Sequence, residues 1–287
     1  MFDRYVVVDW SAHSTPKLGR DSIWIGVCDR TGQVSTTNLA TRRSAEAHLV
    51  ELLEQDPAAT TLLGVDFSLG YPAGTAAALG LSGVPWSAMW ATIAEEIRDD
   101  DRNSNNRFAV AAGFNERMTG SPAPFWGCPP SAAGTCLATT KPRHVESLGE
   151  FRAVEAVLRS TGHRPFSSWQ LLGAGAVGSQ SLVGIPVLER LRTRFGDRLD
   201  VWPFTTGFHL PISARSAIVV AEVWPSMIDV VVTGEETRDA AQVAATATWL
   251  ATAAAASELE AMFSPSISQG VATAACAEEG WVLGVSA

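Results

Sequence analysis

The stretch YVVVDWS at residues 5–11 decides the fold class, because a run of valines that ends in an acidic residue is typical of a buried strand. The pattern returns as LLGVDFS at residues 62–68 and, with glutamate in place of aspartate, as IVVAEVW at residues 218–224. Neighbouring strands lie about 4.8 Å apart, so the residues that end them emerge close together. The three runs therefore predict an α/β protein with acidic side chains gathered at one edge of its sheet.

The acidic residues at these strand ends, Asp9, Asp66 and Glu222, would repel one another unless a cation lay between them. Asp239 is expected to join them, because it falls in the first turn of the helix predicted after the third of these strands. Carboxylate oxygens favour Mg²⁺ or Mn²⁺, and paired ions of this kind catalyse phosphoryl transfer. The sequence therefore predicts that these four residues are catalytic, that they bind Mg²⁺ or Mn²⁺, and that the substrate carries a phosphate.

Each of these acids also has a structural interpretation that the sequence leaves open. Asp9 and Asp66 can cap turns after their strands, as aspartates often do. Glu222 can pair with an arginine from the insertion predicted below, and Asp239 suits the positive end of a helix dipole.

Composition limits the classes of partner. The chain has 287 residues, 46% of them hydrophobic, which is ordinary for a folded enzyme. A formal net charge of −9 argues against binding along a nucleic-acid duplex, because that affinity comes from lysine and arginine. We therefore expect a small nucleic acid, a nucleotide or another phosphorylated molecule.

No apolar run has membrane-spanning length and no signal peptide precedes the first strand, which favours the cytoplasm and no membrane partner. The oligomeric state is left open.

The order of predicted elements divides the chain. Residues 4–70 have the pattern β-β-β-α-β, whereas residues 84–144 lack strand-like runs and contain five prolines between Pro122 and Pro142. A short strand at Leu199–Trp202, a strand at Ala217–Glu222, an alanine-rich helix from Thr237 to Met262 and a last edge strand or docked tail at Gly280–Val285 are predicted later. The predicted domains are a core of residues 1–83 and 171–287 and a helical insertion or lid of residues 84–170.

These features resemble the ribonuclease H superfamily. Acids close the first and fourth strands, a later strand closes in Glu-Val-Trp-Pro at residues 222–225, and the final helix opens with Arg-Asp-Ala-Ala at residues 238–241. More closely, the chain is similar to a domain-of-unknown-function family of predicted nucleases with that fold. The resemblance implies a mixed five-stranded sheet flanked by helices, with the insertion after the fourth strand, and a metal-dependent nuclease or phosphodiesterase activity. One position departs from the pattern: Gln242 stands where such helices often carry a second acid.

Hydroxyl and basic side chains near the strand ends are candidates for holding the substrate. Ser11 and Ser68 follow the first two acids, and Lys17 lies in the loop after Asp9. In the insertion, the planar guanidinium groups of arginines suit phosphate, although the same arginines can neutralise the aspartates at residues 99–101. The predicted substrate-binding residues are Ser11, Lys17, Ser68, Arg102, Arg107 and Arg117.

Three other interpretations stay open. The hydroxyl-rich loop after Asp9 also suits a nucleotide-binding phosphotransferase of the actin-like fold, and Gln242 suits an inactive ligand-binding protein. The run GAGAVG at residues 173–178 matches a dinucleotide-binding motif, but Pro186 is expected to interrupt the helix that such a motif needs. An intermediate interpretation is that residues 179–181, Ser-Gln-Ser, help to hold a phosphate.

Overall fold

A mixed six-stranded sheet lies at the centre of the fold. The computed structural model describes residues 2–143, 145, 147–173, 175–210, 217–230, 232 and 237–286. The strands are β1 Arg4–Asp9, β2 Ile23–Asp29, β3 Val34–Leu39, β4 Thr61–Val65, β5 Leu199–Val201 and β6 Ile218–Glu222. Their order across the sheet is β3-β2-β1-β4-β6-β5. The α/β class and the mixed sheet are confirmed, with six strands rather than the five expected, because the three-residue β5 adds an outer edge beside β6.

The register brings the acidic strand ends together. Strands β1, β4 and β6 are parallel neighbours, while β2 is antiparallel to β1. Val8 pairs with Val65, and Val65 pairs with Glu222, so the carboxyl ends of these three strands lie side by side. Each of the three is almost wholly buried, which explains why their sequences are continuous apolar runs rather than alternating ones.

Helices cover both faces of the sheet. Those in the described residues are α1 Arg42–Gln55, α2 Thr75–Ala78, α3 Pro85–Glu96, α4 Arg107–Thr119, α5 Ala153–Ser160, α6 Gly178–Phe195, α7 Arg238–Ala255, α8 Leu259–Phe263 and α9 Gln269–Ala274, with a π-turn at Ala275–Glu279. Side chains of β1 alternate between the two faces: Val6 and Val8 point to the core under α1, α3 and α6, and Val7 points to the core under α7.

Helix α7 packs closely on the sheet, as its alanine-rich sequence predicted. A Cβ atom added at Gly26 of β2 would lie 2.7 Å from the backbone of Val243 in α7. The helix ends earlier than predicted, at Ala255, where Ser257 adopts a positive φ of 61° and the chain turns into α8. Its first turn carries Asp239 to the acidic edge of the sheet.

Helix α6 continues through Pro186, which contradicts the expectation that this proline would interrupt it. Nearly all residues from Gly178 to Leu188 are buried, and Gly184 lies so close to Phe67 that an added Cβ would be 2.4 Å from its ring. Packing on both sides outweighs the cost of the missing hydrogen bond at the proline. The piece before α6 is not a strand, and its Gln170 makes only an isolated bridge with Trp126. A dinucleotide-binding βαβ unit is therefore not formed here.

The segment predicted as an insertion shares the core of the sheet. Trp86, Trp90 and Ile93 of α3 and Phe114 of α4 are buried in one continuous cluster with Val8. Whether residues 84–170 act as a lid stays a prediction.

The tail at residues 280–285 docks beside β6, as predicted. Val282 bridges Glu222 in parallel, and Trp281 is fully buried. Of the described helices, none combines the length and apolarity needed to cross a bilayer.

Candidate active site at the carboxyl ends of the strands

Asp9 and Asp66 form a carboxyl pair where β1 and β4 end. The backbone N–H of Asp66 donates to Val8 O at 3.2 Å, which continues the parallel ladder by one step. The N–H of Trp10 donates to Asp66 Oδ1 at 2.8 Å, and the two carboxyl groups are near enough for each to affect the pKa of the other. Because two negative charges this close repel each other, the pair favours keeping one proton in the absence of a cation.

The surroundings of the pair favour that proton. Burial raises the pKa of Asp66 to about 7, against the opposing effect of the hydrogen bond from Trp10 N–H. Burial, followed by the negative charges of Asp66 and Asp239, raises the pKa of Asp9 well above its usual range. Two carboxylates held this close cannot both ionise easily without a positive charge nearby.

Gln180 in the first turn of α6 orients the pair. Its Nε2 donates to Trp10 O and lies 3.5 Å from Asp66 Oδ2. The contact links the start of α6 to the acids.

Asp239 lies at the edge of the same site. Its Oδ2 accepts a hydrogen bond of 2.6 Å from the N–H of Asp21, in the loop between β1 and β2. Asp239 is near enough to Asp9 to raise the pKa of that carboxyl. The structure thus brings three of the four predicted acids to one place.

Glu222 reaches the same sheet edge, but its carboxylate is bound by Arg152. The guanidinium donates to Glu222 Oε1 at 2.6 Å and Oε2 at 2.7 Å, and also to Glu155. Burial on its own would lower the pKa of Arg152, yet the charges of Glu155 and Glu222 outweigh it and raise that pKa. These contacts favour a structural role for Glu222, and its role as a metal ligand stays a prediction.

The acids stand between two adjoining cavities. The larger, of about 740 Å³, lies between the β1–β2 loop and the start of α6. The smaller, of about 390 Å³, lies between α6, the segment after β6 and the loop before residue 167. Asp9, Gly175 and Gln180 line both cavities, so they form the wall that the two share.

Arg107, at the start of α4, supplies a buried positive charge to the larger cavity. Only 7% of the residue is exposed, and it belongs to none of the ion pairs in the described part of the chain. Nε donates to Ser179 Oγ at 2.9 Å and Nη1 to Ser14 Oγ at 3.0 Å and Asn105 Oδ1 at 2.8 Å, whereas Nη2 takes part in none of these bonds. Burial, and then the nearby Arg42, lower the pKa of Arg107 to about 10, so it stays charged at neutral pH.

The other predicted substrate-binding residues divide into two groups. Ser11 lines the larger cavity and Ser68 the smaller. Lys17 is engaged with His13 and Asp21, Arg117 pairs with Glu96 at 2.8 Å, and Arg102 is exposed on the surface. None of these three basic residues lines either cavity.

Sequence reasoning missed two parts of the site. Arg152 was not singled out, although its spacing from Glu155, three residues on in a helix, is a local signal of an ion pair. Ser14 was recognised only as one hydroxyl in the loop, since nothing in the sequence indicates that Arg107 reaches it from 93 residues away.

The donor set fits a cation that keeps much of its water. No group of three or more histidine, cysteine, aspartate or glutamate side chains arranged to hold a metal occurs among the residues described. Mg²⁺ in phosphoryl-transfer sites is commonly bound through one or two carboxylates plus substrate oxygens and water. Asp9 and Asp66 meet that requirement.

Comparison with known proteins gave no relative: no family model, curated protein or solved structure matches this chain.

Proposed function

We propose that this protein is a Mg²⁺- or Mn²⁺-dependent phosphodiesterase or nuclease that acts on a small nucleic acid or a nucleotide-like phosphodiester. One observation carries the proposal: Asp9 and the buried guanidinium of Arg107, which belongs to no ion pair among the described residues, line the larger cavity, and Asp66 lines the adjoining smaller cavity beside Asp9. Acidic and basic groups so placed complement a cation and a phosphate together.

Each residue has a definite part in this proposal. Asp9 and Asp66 would hold the ion, with Asp239 at its edge. Arg107 binds the phosphate oxygens, and Ser14 and Ser179 fix its guanidinium in place. When bound, the ion would neutralise phosphate charge and supply an activated water as nucleophile.

The strand arrangement supports a ribonuclease H-like core. The order β3-β2-β1-β4, with β2 antiparallel and acids following β1 and β4, agrees with the resemblance in the sequence. Beyond β4 the sheet continues with β6 and then β5. The chain therefore forms the edge strand β5 first and then returns to place β6 between β4 and β5.

A second candidate function is nucleotide-dependent phosphotransfer on the actin-like variant of the fold. The observation that favours it is the loop between β1 and β2, whose Ser11, Ser14 and Thr15 all line the larger cavity. Such hydroxyls suit the phosphates of a nucleotide. This candidate requires ATP or another nucleotide, whereas the hydrolase does not.

Calorimetric titration with Mn²⁺ at pH 8 tests the cation site. We expect binding by the wild type, loss of binding by Asp66→Asn, and unchanged binding by Asp101→Asn, whose side chain is 89% exposed and outside both cavities. Equal binding by the wild type and Asp66→Asn, or none by the wild type, would contradict the proposal.

Hydrolysis of bis(p-nitrophenyl) phosphate then tests the reaction. The wild type should release p-nitrophenol with Mn²⁺ and without ATP. The rate of release by Asp66→Asn should be at least a hundredfold lower. Arg107→Lys keeps a charge but loses the planar fork, so kcat/KM should fall about 10- to 100-fold. Strict dependence on ATP would favour the phosphotransferase, and Mn²⁺ binding without any turnover of phosphodiesters would favour an inactive binding protein.

A further inference from the structure

The smaller cavity has a chemical character unlike that of the larger one. It lies on the other side of the shared wall from Arg107, and aromatic, proline and amide side chains form much of its lining. The lining residues used below are Glu155, Arg164, Phe166, Glu222, Trp224 and Gln242. Its volume of about 390 Å³ is within the range of small-molecule sites, roughly 300–1,000 Å³.

Two aromatic rings are available in this cavity. Phe166 is 44% exposed, which is unusual for a large apolar side chain in this protein. The ring of Trp224 is half-buried, and His163 packs edge-on against it with the centroids 5.4 Å apart. Rings that are positioned and accessible at a cavity are the usual platform for a flat aromatic ligand, because bases stack on them without regard to sequence.

Polar groups accompany the rings. None of the hydrogen bonds in the described part of the chain uses the side-chain amide of Gln242, which lies one turn after Asp239 on α7. An amide offers a donor and an acceptor side by side, the combination that matches the edge of a nucleobase. Arg164 adds a planar guanidinium that can stack on a base. A glutamine at position 242, where the acidic pattern has a second acid, therefore suits contact with a base.

The charge of the smaller cavity determines whether it favours the phosphate or the ring of a ligand. The carboxylates of Glu155 and Glu222 also line this cavity and share the single guanidinium of Arg152, so the three groups together keep one negative charge when both acids are ionised. A phosphate here would meet carboxylate oxygens, whereas a neutral ring would not be repelled. The phosphate is instead favoured on the far side of the wall, where Arg107 lies.

We propose that the smaller cavity binds the base of a nucleotide whose phosphate lies in the larger cavity, between Asp9 and Arg107. The placement of the phosphate rests on the proposed function. Because Asp9, Gly175 and Gln180 line both cavities, the cavities adjoin at Asp9, and one molecule would span them with its ester beside that residue. The substrate class is then a nucleotide or the unpaired end of a strand, since a base that is paired and stacked in a duplex is not free to enter a separate cavity.

Calorimetry in buffer free of Mn²⁺ tests the base site separately from the reaction. The probes are AMP, GMP, CMP and UMP, each compared with ribose 5-phosphate, which has the phosphate and sugar but no base. At least one of the four should bind the wild type 10-fold or more tightly than ribose 5-phosphate does. Phe166→Ala should reduce that preference at least fivefold, while Leu18→Ala, an exposed residue outside both cavities, should leave it unchanged.

The isosteric variant Gln242→Glu adds a test that does not depend on removing a ring. It should change the ranking of the four nucleotides or abolish the preference, and Gln269→Glu at the exposed start of α9 should not. Equal binding of ribose 5-phosphate and all four nucleotides would overturn the base site, whatever Mn²⁺ does. A base preference that survives both Phe166→Ala and Gln242→Glu would overturn it too. If these variants lose the base preference but the wild type shows no Mn²⁺-dependent hydrolysis, the result would support the base site and contradict the proposed reaction.

Discussion

Burial raises the pKa of Asp9 and of Asp66, and the negative charge of Asp66 raises that of Asp9 further, which makes the pair sensitive to pH. Since burial raises the pKa of Asp66 to about 7, its carboxyl is protonated below that pH and ionised above it. Metal ligands must be deprotonated, so protons and Mn²⁺ compete for the pair. The competition gives the site a pH dependence that ordinary surface aspartates, which ionise near pH 4, would not have.

We therefore expect the affinity for Mn²⁺ to rise with pH up to at least about 7, where Asp66 ionises, and the raised pKa of Asp9 favours a further rise above that pH. Below pH 7, each unit of acidification should weaken the apparent affinity about tenfold if one proton is displaced. Calorimetry at pH 5.5, 6.5, 7.5 and 8.5, in buffers of different ionisation enthalpy, measures both the affinity and the proton released. An affinity that is constant over this range would show that the pair is already ionised.

Glu222 provides a second prediction at this scale. Glu222→Gln breaks a buried ion pair with Arg152, so it should destabilise the fold by about 3–5 kcal/mol. Glu46→Gln breaks a surface pair with Arg190 and should cost about 1 kcal/mol or less. Urea denaturation measures both values.

The binding of Mn²⁺ separates the two roles of Glu222. If its role is structural, folded Glu222→Gln should bind Mn²⁺ within about twofold of the wild type. A small loss of stability together with a large loss of Mn²⁺ binding would instead identify Glu222 as a ligand.

Individual acids were predictable from the sequence, but their partners were not. Asp9 and Asp66 could be found because neighbouring parallel strands that pair in register end side by side. The sequence allowed Glu222 to pair with an arginine of the predicted insertion, but it did not show that this arginine is Arg152, because no local pattern encodes a contact across 70 residues. The arginines of the insertion show the same limit: Arg107 is buried beside Ser14, whereas Arg102 is exposed.

At the scale of elements, α7 holds Asp239 in the site through its close contact with β2. A methyl group at Gly26 would lie 2.7 Å from the backbone of Val243, and backbone cannot rotate aside. Gly26→Ala should therefore displace α7 and destabilise the protein by about 1–3 kcal/mol. It should also weaken Mn²⁺ binding, because Asp239 moves with the helix.

Gly113→Ala is the matched control. Gly113 lies inside α4, and an added Cβ would meet nothing within 4 Å. Alanine is the better helix former by about 0.5–1 kcal/mol, so this variant should be slightly more stable than the wild type. Thermal unfolding followed by circular dichroism measures both variants, and equal effects of the two substitutions would refute the packing argument.

Helices and strands could be predicted from the periodicity of the sequence where tertiary packing agrees with local conformational preference. The valine-rich strands and α1, with Ala45, Leu49 and Leu53 on its buried face, form as predicted. Helix α6 did not follow from local rules, because Pro186 argues against a helix until the buried surroundings are known. The three-residue β5 is too short for an apolar pattern to fix its place at the edge.

At the scale of the whole molecule, α3 lies in the same core as the strands although it belongs to the predicted insertion. Trp90 donates from Nε1 to Leu69 O at 2.7 Å, just after β4, and Ile93 is fully buried. We expect α3 to open only when the sheet opens, so its amides should be protected from hydrogen exchange to within about tenfold of those in β4. Exchange measured by mass spectrometry checks this. Protection of α3 at least a hundredfold weaker than that of β4 would show that the insertion opens as a separate unit.

The boundaries of the insertion were drawn from composition, since prolines and the absence of strand patterns mark residues 84–144. Composition cannot reveal on which surface a segment folds back. The apolar face of α3, with Trp86, Met89 and Trp90, shows only that the helix is covered, and helix α6 supplies most of that cover.

The contacts of Arg152 have a consequence for the order in which the molecule is assembled. Its guanidinium binds Glu222 and the carbonyl of Glu279, which lies 127 residues further along the chain. At about 5–20 residues per second, a ribosome needs roughly 6–25 s to make that stretch. Until then Arg152 stays hydrated and only partly satisfied, so the acidic edge of the sheet is completed late in translation. A nascent chain can thus build β1 to β4 early while its candidate catalytic site is still unfinished.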